Sequence, residues 1–521
     1  MRRFIGAAIV VVWIGVLGMH VRREYFKGEE VLLTEGARAL APGSYFYTIR
    51  MEGRAIGLST SRLDTVPEGF VFEDMTRLDV PALGEMNRAM ARSHVVLGPS
   101  LTVLSFEFDL DSEVGRFRVT GETHGDSVLE LQVGAGANAQ TSRIALTEPL
   151  VIPAALPFRL AASGRLEAGR EFRAELFDPS VLATRELVIR VIERDTLIVP
   201  DSAALDENGV WQPAGYDTVP VWRIEEAVGD IGTTSWIDED GRMIRSESLL
   251  GFSIERTEYE LASQAWNIER ADTTSAEASG YGTLIESTAI ASDVPLDDAA
   301  YIGDLRVRLR GVDLAGFDLA GGRQTLRGDT LRIVVERPGA MAPRWRLPYD
   351  IQDERAAELV STPLIQSTHE RIRQQARAIA GDERDPATVA RLLNRWVYEN
   401  LEKDITLSVP SALQVLEARQ GDCNEHTVLY VALARALGLP ARTAVGLVSV
   451  NGRFYYHAWP EVWLNEQWVA VDPTLGQFPA DATHLRFLLG DLVRQLELIR
   501  LIGRLELDVV QARQGEAGAE G

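Results

Sequence analysis

The chain has 521 residues and a formal net charge of −23 at pH 7, which argues against nucleic acid as a partner because nucleic-acid binding rewards basic surfaces. Hydrophobic residues make up 46% and charged residues 25% of the chain, a globular composition, and the length predicts two or more domains. A single cysteine excludes an intramolecular disulfide and a metal site with two cysteine ligands.

The N-terminus carries a candidate membrane segment. Arg2 and Arg3 precede an apolar run that we place at residues 4–21, and no small-x-small cleavage site follows it. We therefore expect residues 1–30 to hold an uncleaved single-pass anchor and a linker. Basic residues flank the run on both sides, but the short N-terminal tail favours an inner-membrane protein whose C-terminal part lies outside the cytoplasm.

Residues 31–267 are predicted to form a large antiparallel β domain. The segment 101–108 alternates apolar and polar residues, and Asp240-Gly241 is a tight-turn signal. No chemical motif is present in this region. His94 and His124 are isolated from other chemistry-bearing groups, so we expect neither to form a site. The exposed face of this domain either binds a partner or packs on the rest of the chain.

The C-terminal half combines a linker, strands and helices. Residues 268–299 are small and polar, which is typical of a linker, and residues 300–348 are predicted to be a small β unit. Residues 349–510 alternate helical and strand patterns, with a predicted helix at 485–502 and a closing strand at 505–510. We expect residues 511–521 to be a disordered tail. The predicted class is α+β.

Cys423 lies at the predicted start of a buried helix. Asp422, with Glu425 three residues later, has the spacing of a capping box, and apolar residues recur at helical intervals as far as Leu437. Unpaired N–H groups and the positive dipole end in a first turn favour a thiolate and can donate to an oxyanion. We therefore expect the pKa of Cys423 to lie below the free-cysteine value of about 8.5.

His457 and Asp472 are predicted to be neighbours on one face of a β-sheet. A two-residue turn at Asn465-Glu466 would pair Trp459 with Asp472, which makes His457 and Asp472 diagonal neighbours within side-chain reach. The strand alternation also places Glu461 and Trp463 on the face of His457. A cysteine at a helix start, a histidine and a carboxylate together favour nucleophilic catalysis.

Other polar residues near Cys423 are assigned lesser roles. His426 follows the cysteine on a neighbouring helix face, and we expect it to pack rather than act as the base, because a base on the same rigid helix points poorly at the thiol. Trp396 and Asn400 are possible cleft residues, and Glu461 is the substitute carboxylate should Asp472 prove silent. Phosphate loops, metal-ligand clusters and calcium loops are not found in the sequence, so we predict no cofactor and no metal.

The stretch 411–476 resembles the transglutaminase-like superfamily. Four segments carry the resemblance: Gly421-Asp422-Cys423, residues 435–442, residues 457–463 and residues 468–474. The similarity extends over residues 390–505 and leaves the rest of the chain unassigned. It implies a papain-like fold in which Cys423, His457 and Asp472 form the catalytic triad. The superfamily contains transamidases, peptidases and amide hydrolases.

Two hypotheses follow from the sequence. The first is a membrane-anchored cysteine enzyme that cleaves or transfers amide acyl groups, with Cys423 as nucleophile, His457 as base and Asp472 as the group that orients the base. Its substrate would be a peptide or protein amide of the cell envelope, and its catalytic part would lie outside the cytoplasm. The alternative is a non-catalytic transglutaminase-like scaffold whose β domain binds a partner.

Overall fold

A computed structural model describes residues 29–515 with internal gaps. The gaps are residues 52, 83–84, 113–114, 126, 135–138, 180–181, 229–230, 249–250, 276–289, 295, 297, 338–340, 343, 351–352, 405–410, 491–497, 499–500 and 502–503. The predicted anchor at residues 4–21, most of the predicted tail and half of the predicted linker lie outside the described residues. None of the helices described is long and apolar enough to span a membrane.

The first half of the chain forms one antiparallel sheet of fourteen strands. Eight strands run up and down in chain order: β1 Gly43–Met51, β2 Arg54–Val66, β3 Gly69–Ala82, β4 Glu85–Leu97, β5 Val103–Ser112, β6 Gly115–His124, β7 Val128–Val133 and β8 Gln140–Ala145. Six more form a second meander: β9 Glu171–Asp178, β10 Ala183–Leu205, β11 Trp211–Val228, β12 Ile231–Ile237, β13 Met243–Ser248 and β14 Phe252–Thr257. Pairing of β1 with β14 joins the two meanders into one sheet. The predicted large antiparallel sheet is therefore confirmed, and the chain as a whole is mostly β.

One face of this sheet is apolar. Along β7 and neighbouring strands, residues that point to one side, such as Leu129, Leu131 and Phe117, are buried, whereas those between them are less so. This alternation is what a half-buried antiparallel strand requires. Three helices accompany the sheet: α1 Glu29–Ala37, α2 Leu156–Ala162 and α3 Tyr259–Ser275. The last of them extends into the segment predicted as a linker.

Four helices and a five-stranded sheet build the region around Cys423. The helices are α4 Glu370–Ala380, α5 Pro386–Asn400, α6 Ala412–Ala418 and α7 Cys423–Ala436. The sheet has the order β15-β22-β21-β24 with β23 added to β22, and the strands are β15 Ile290–Ala291, β21 Ala441–Val450, β22 Arg453–Leu464, β23 Gln467–Ala470 and β24 Leu485–Leu489. Helix α7 is the centre of the helical layer, because its residues 428–434 are buried against α4, α5 and α6.

A four-stranded sheet packs against the five-stranded sheet. It has the order β17-β18-β16-β25, and the strands are β16 Ile302–Arg310, β17 Gln324–Arg327, β18 Thr330–Val334 and the closing strand β25 Glu506–Gln514. These strands share one hydrophobic cluster with β21 and β24. Two further two-residue strands, β19 Glu402–Lys403 and β20 Gln420–Gly421, run parallel just before α7.

The helix predicted at 485–502 is wrong at its start, because Leu485–Leu489 is strand β24. The segment is short, apolar except for Arg486 and buried over its first four residues, and it pairs with β21. A run of this kind has no periodicity that distinguishes a buried strand from a buried helix. Only its pairing with β21 decides the outcome.

Candidate active site

The start of α7 is fixed by the predicted capping box. The amide of Asp422 donates to Glu425 Oε2 at 2.9 Å, and Asp422 Oδ1 accepts from the amide of Asn424 at 2.7 Å. Gly421 has a φ of +152°, and a Cβ there would lie 2.3 Å from the Glu425 side chain. Glycine is therefore required for Glu425 to reach back over the chain. These contacts set Cys423 as the first residue of the helix.

The N–H group of Cys423 has no acceptor among the residues that the structure describes. The first N–H groups of a helix have no partner within the helix, and here the group stands at the positive end of a 14-residue helix. It is available to an oxyanion that forms on a carbon bonded to the Cys423 sulfur.

The thiol of Cys423 is not a preformed thiolate. The residue is half-buried, and burial together with the carboxylate of Asp422 raises the pKa of the thiol well above its usual value. The backbone N–H of Ala458, next to His457, opposes this only in part. The expectation of a pKa below about 8.5 is therefore contradicted, because desolvation of the thiolate outweighs the helix dipole. The sulfur needs a base.

His457 and Asp472 meet as the strand register predicts. Leu464 pairs with Gln467 across the two-residue turn, and the imidazole Nε2 of His457 lies 2.7 Å from Asp472 Oδ2. The carboxylate accepts the hydrogen bond, so Nε2 carries the proton. The neutral ring then presents an unprotonated Nδ1 as its base.

Asp472 is fully buried and fully hydrogen-bonded. Its Oδ1 accepts from the amides of Thr474 at 2.7 Å and Leu475 at 2.9 Å. Burial opposes ionisation, but the hydrogen bonds and charges of His457 and His484 outweigh it and hold the pKa of Asp472 well below its usual range. The carboxylate is therefore charged at neutral pH and rigidly placed.

His484 is a second imidazole on the same carboxylate oxygen. Its Nε2 lies 2.9 Å from Asp472 Oδ2, and the residue is fully buried. The sequence analysis missed it, since nothing in the spacing from Asp472 to His484 relates the two positions. The one available signal was a third histidine after Cys423.

His426 and Glu461 have other partners. His426 is fully buried with Nδ1 2.8 Å from the carbonyl oxygen of Asp422, and burial lowers its pKa. Glu461 forms buried ion pairs with Arg442 at 2.6 Å and Arg486 at 2.9 Å. Burial opposes ionisation of Glu461, but the two arginines hold its pKa below the usual value. The charge of Glu461 is therefore neutralised away from His457.

The aromatic residues divide between the site and the core. Trp459 stacks on His457 with ring centroids 6.1 Å apart and an interplanar angle of 24°. Trp463 instead contacts Trp468, and the ring of Trp396 carries the guanidinium of Arg419 at 4.5 Å. Trp459 alone among these tryptophans contacts the imidazole, and it restricts the ring plane. The exposed His94 pairs with Glu73 in the large sheet.

The groups of His457, Asp472 and His484 are of a kind that binds metals, and their donor atoms lie within 4.8 Å of one another. Both imidazole nitrogens, however, lie at hydrogen-bond distance from a single oxygen, 2.7 and 2.9 Å away. Neighbouring ligand atoms of a tetrahedral zinc ion are about 3.3 Å apart. The spacing therefore fits a hydrogen-bonded chain rather than a metal site.

A thiol at a helix start, a histidine that donates from Nε2 and a buried carboxylate are groups that can together support nucleophilic catalysis. Residues 373–473 match the model of the transglutaminase-like superfamily, and this part of the chain belongs to that superfamily. No curated protein matches the chain.

Three solved structures are similar to the chain at low identity. A protein assigned as a cysteine protease, from Cytophaga hutchinsonii, is 16% identical, covers 41% of this chain and 86% of its own length, and gives a TM-score of 0.26. The β-barrel-like DUF1849 protein of Brucella abortus is 12% identical over 42% of this chain and 95% of its own length, with a TM-score of 0.28. The periplasmic domain of TgpA from Pseudomonas aeruginosa, bound to ethylmercury, is 18% identical over 35% of this chain and 92% of its own length, with a TM-score of 0.21.

Proposed function

We propose that this chain is a cysteine enzyme that cleaves or transfers amide acyl groups, with Cys423 as nucleophile, His457 as base and Asp472 as the orienting carboxylate. The observation that carries the proposal is the 2.7 Å contact between His457 Nε2 and Asp472 Oδ2. It leaves Nδ1 of His457 as the basic nitrogen, on a strand packed against the helix that begins at Cys423. The α+β, papain-like architecture of residues 349–510 is part of the same proposal.

The reaction would run in two halves. The Cys423 sulfur attacks the amide carbonyl carbon while its proton passes to His457 Nδ1, and the resulting oxyanion accepts a hydrogen bond from the N–H of Cys423. Collapse breaks the C–N bond, and the leaving amine takes the proton from His457. Water or a second amine then attacks the thioester, gives its proton to His457, and releases the Cys423 sulfur, which takes that proton back. Water makes the chain a peptidase or amidase, and an amine makes it a transamidase.

Acyl-enzyme trapping tests this proposal. Peptide and protein amides of the cell envelope are incubated with wild type, Cys423→Ala and His457→Ala, and the intact mass of the protein is followed. We expect a thioester adduct on the wild type alone. Turnover in ¹⁸O-labelled water with and without a primary amine separates hydrolysis from transamidation.

A substrate-free measurement makes the test decisive. We expect His457→Ala to slow alkylation of Cys423 by iodoacetamide at neutral pH by at least about tenfold, because the raised pKa of the thiol makes it depend on the base. The matched control is His94→Ala, an exposed histidine of the large sheet. Equal alkylation rates in the two variants would show that His457 does not activate the cysteine.

A second candidate is a non-catalytic scaffold whose β domain binds a partner. It is favoured by a groove of about 470 Å³ between β6 and α6, lined among others by Arg116, Arg118, Gln414 and Glu417. A scaffold requires neither the thiol nor the imidazole. Under this hypothesis Cys423→Ala would keep full activity in the cell, whereas an enzyme would lose it.

We further propose that residues 4–21 anchor the chain as a single pass in the inner membrane, with the catalytic residues outside the cytoplasm. The support is the apolar run after Arg2 and Arg3. Reporter fusions at the C-terminus test the topology: we expect a periplasm-dependent reporter to be active. Activity confined to a cytoplasm-dependent reporter would contradict it.

A further inference from the structure

Asp472 belongs to a longer chain of alternating imidazoles and carboxylates. Oδ2 of Asp472 accepts from His457 on one side and from His484 on the other, at 2.7 and 2.9 Å. The other ring nitrogen of His484, Nδ1, lies 3.2 Å from Asp481 Oδ1. The order is therefore His457, Asp472, His484, Asp481. The mechanism proposed above does not involve His484 or Asp481.

Both nitrogens of His484 face carboxylate oxygens. Asp481 is itself held as an acceptor. Its Oδ1 accepts hydrogen bonds from the backbone N–H and the hydroxyl of Thr483 at 2.7 and 2.6 Å, and its Oδ2 accepts one from the side-chain Nε2 of Gln477 at 2.8 Å. An imidazole that donates from both nitrogens is an imidazolium. Burial disfavours that charge, but Asp481 and Asp472 outweigh it and raise the pKa of His484 to about 9.

We propose that His484 is a positively charged positioning residue, which holds the Asp472 carboxylate against His457 and sets the pH range in which the Cys423–His457 pair works. The proposal rests on the function proposed above and adds a residue to its machinery. His484 touches no reacting atom: it acts through Asp472.

The charges around His484 define the direction of its effect. Among the described residues, the titratable groups that face it are Asp472 after β23, Asp481 before β24, and His457 on β22, whose ring centroid is 5.8 Å away. A positive charge at this distance disfavours a second positive charge on His457 and favours the negative charges of Asp472 and the Cys423 thiolate. Its removal therefore makes every neighbouring group hold its proton more tightly, and the working range moves to higher pH.

The first test uses the unaltered protein and needs no substrate. The ¹⁵N shifts of the ring nitrogens are recorded on protein labelled at its seven histidines. We expect one imidazole to keep both ring protons at about pH 8, where ordinary histidines are neutral. If every histidine has lost one ring proton there, the proposal is overturned. An imidazole that keeps both ring protons cannot bind a metal ion, so the same spectrum also tests whether His484 is a metal ligand.

The second test compares His484→Gln with His124→Gln. Glutamine keeps an N–H donor for Asp472 but carries no charge, and His124 is an exposed histidine of the large sheet that controls for the substitution. Iodoacetamide alkylation of Cys423 is measured from about pH 5 to about pH 10. Below about pH 9, where His484 carries its charge, we expect alkylation to be about tenfold slower in His484→Gln than in the unaltered protein and unchanged in the control, and we expect the difference to vanish at higher pH.

The outcomes are separable. A folded His484→Gln protein that is alkylated at the rate of the unaltered protein below about pH 9 would show that His484 has a structural role only. If His484→Gln does not fold, the spectrum of the unaltered protein still decides the charge. Neither readout requires turnover, so a chain that proved inactive on every amide would refute the proposed function without affecting this result.

Discussion

The hydroxyl of Thr427 donates a 3.1 Å hydrogen bond to the carbonyl oxygen of Ala458. Thr427 lies one turn after Cys423 on α7, and Ala458 follows His457 on β22. Both residues are buried, so the bond ties the cysteine helix to the histidine strand where water does not compete. This contact therefore helps to hold Cys423 and His457 in position relative to each other.

Cys423→Ala should abolish turnover and leave the fold intact. The side chain is small and half-buried, and the helix start is held by Asp422 and Glu425 rather than by the sulfur. We expect a loss of stability of about 1 kcal/mol or less. Circular dichroism and the melting temperature measure this. An unfolded variant would make the cysteine structural.

Alkylation of Cys423 should have its midpoint above the free-cysteine value of about 8.5. The physical reason is burial together with the charge of Asp422, which raise the pKa of the thiol. Iodoacetamide rates as a function of pH give the midpoint, and free cysteine is the reference. A midpoint below that value would mean that the helix dipole prevails after all.

Asp472→Asn should be at least as damaging as His457→Ala. The physical reason lies in the hydrogen bonds that Asp472 makes. With its oxygen kept on the amides of Thr474 and Leu475, the asparagine would turn an NH₂ group toward His457 and His484. His457 would then have to carry its proton on Nδ1, where it cannot act as base.

We expect turnover of Asp472→Asn to fall by about 10³–10⁴-fold. The loss of the buried charge should also destabilise the fold by about 3 kcal/mol. Turnover and urea unfolding of the two variants on one substrate measure both effects. Glu461→Gln is the matched carboxylate control, since Glu461 pairs with Arg442 and Arg486. Full turnover in Asp472→Asn would refute the triad.

The protein should lose stability as the pH rises from about 6.5 to about 9. The pKa of His484 is raised in the folded state to about 9 from 6.5. Its contribution is therefore fully present below about pH 6.5 and is lost as the pH passes through about 9. The contribution is about 3 kcal/mol. Asp472 and Asp481 have the opposite sign, because their pKa values are depressed and their contributions are lost in acid, below about pH 3.9.

Chemical unfolding at several pH values measures this dependence, and His484→Gln is the comparison. We expect the decline between about pH 6.5 and about pH 9 to be present in the unaltered protein and much smaller in the variant. Equal declines in both proteins would assign the effect to other groups.

Local sequence determined the start of α7 and the hairpin that follows it. Asp422 and Glu425 form a capping box because the spacing of three residues brings each side chain to the other's amide. A two-residue turn fixes the register of β22 and β23, so the approach of His457 to Asp472 could be deduced from alternation alone. The large antiparallel sheet was likewise predictable from its alternating strands.

Only the tertiary structure decided the rest. Leu485–Leu489 is a strand because β21 offers it a pairing edge, which a short apolar run does not encode. His484 reaches Asp472 because β24 packs beside β21, and no spacing rule relates the two residues. The pKa of Cys423 is raised because neighbouring elements bury its thiol, and desolvation depends on atoms that are distant in sequence. The sequence determines which groups can react, and the packing of separate elements decides their protonation.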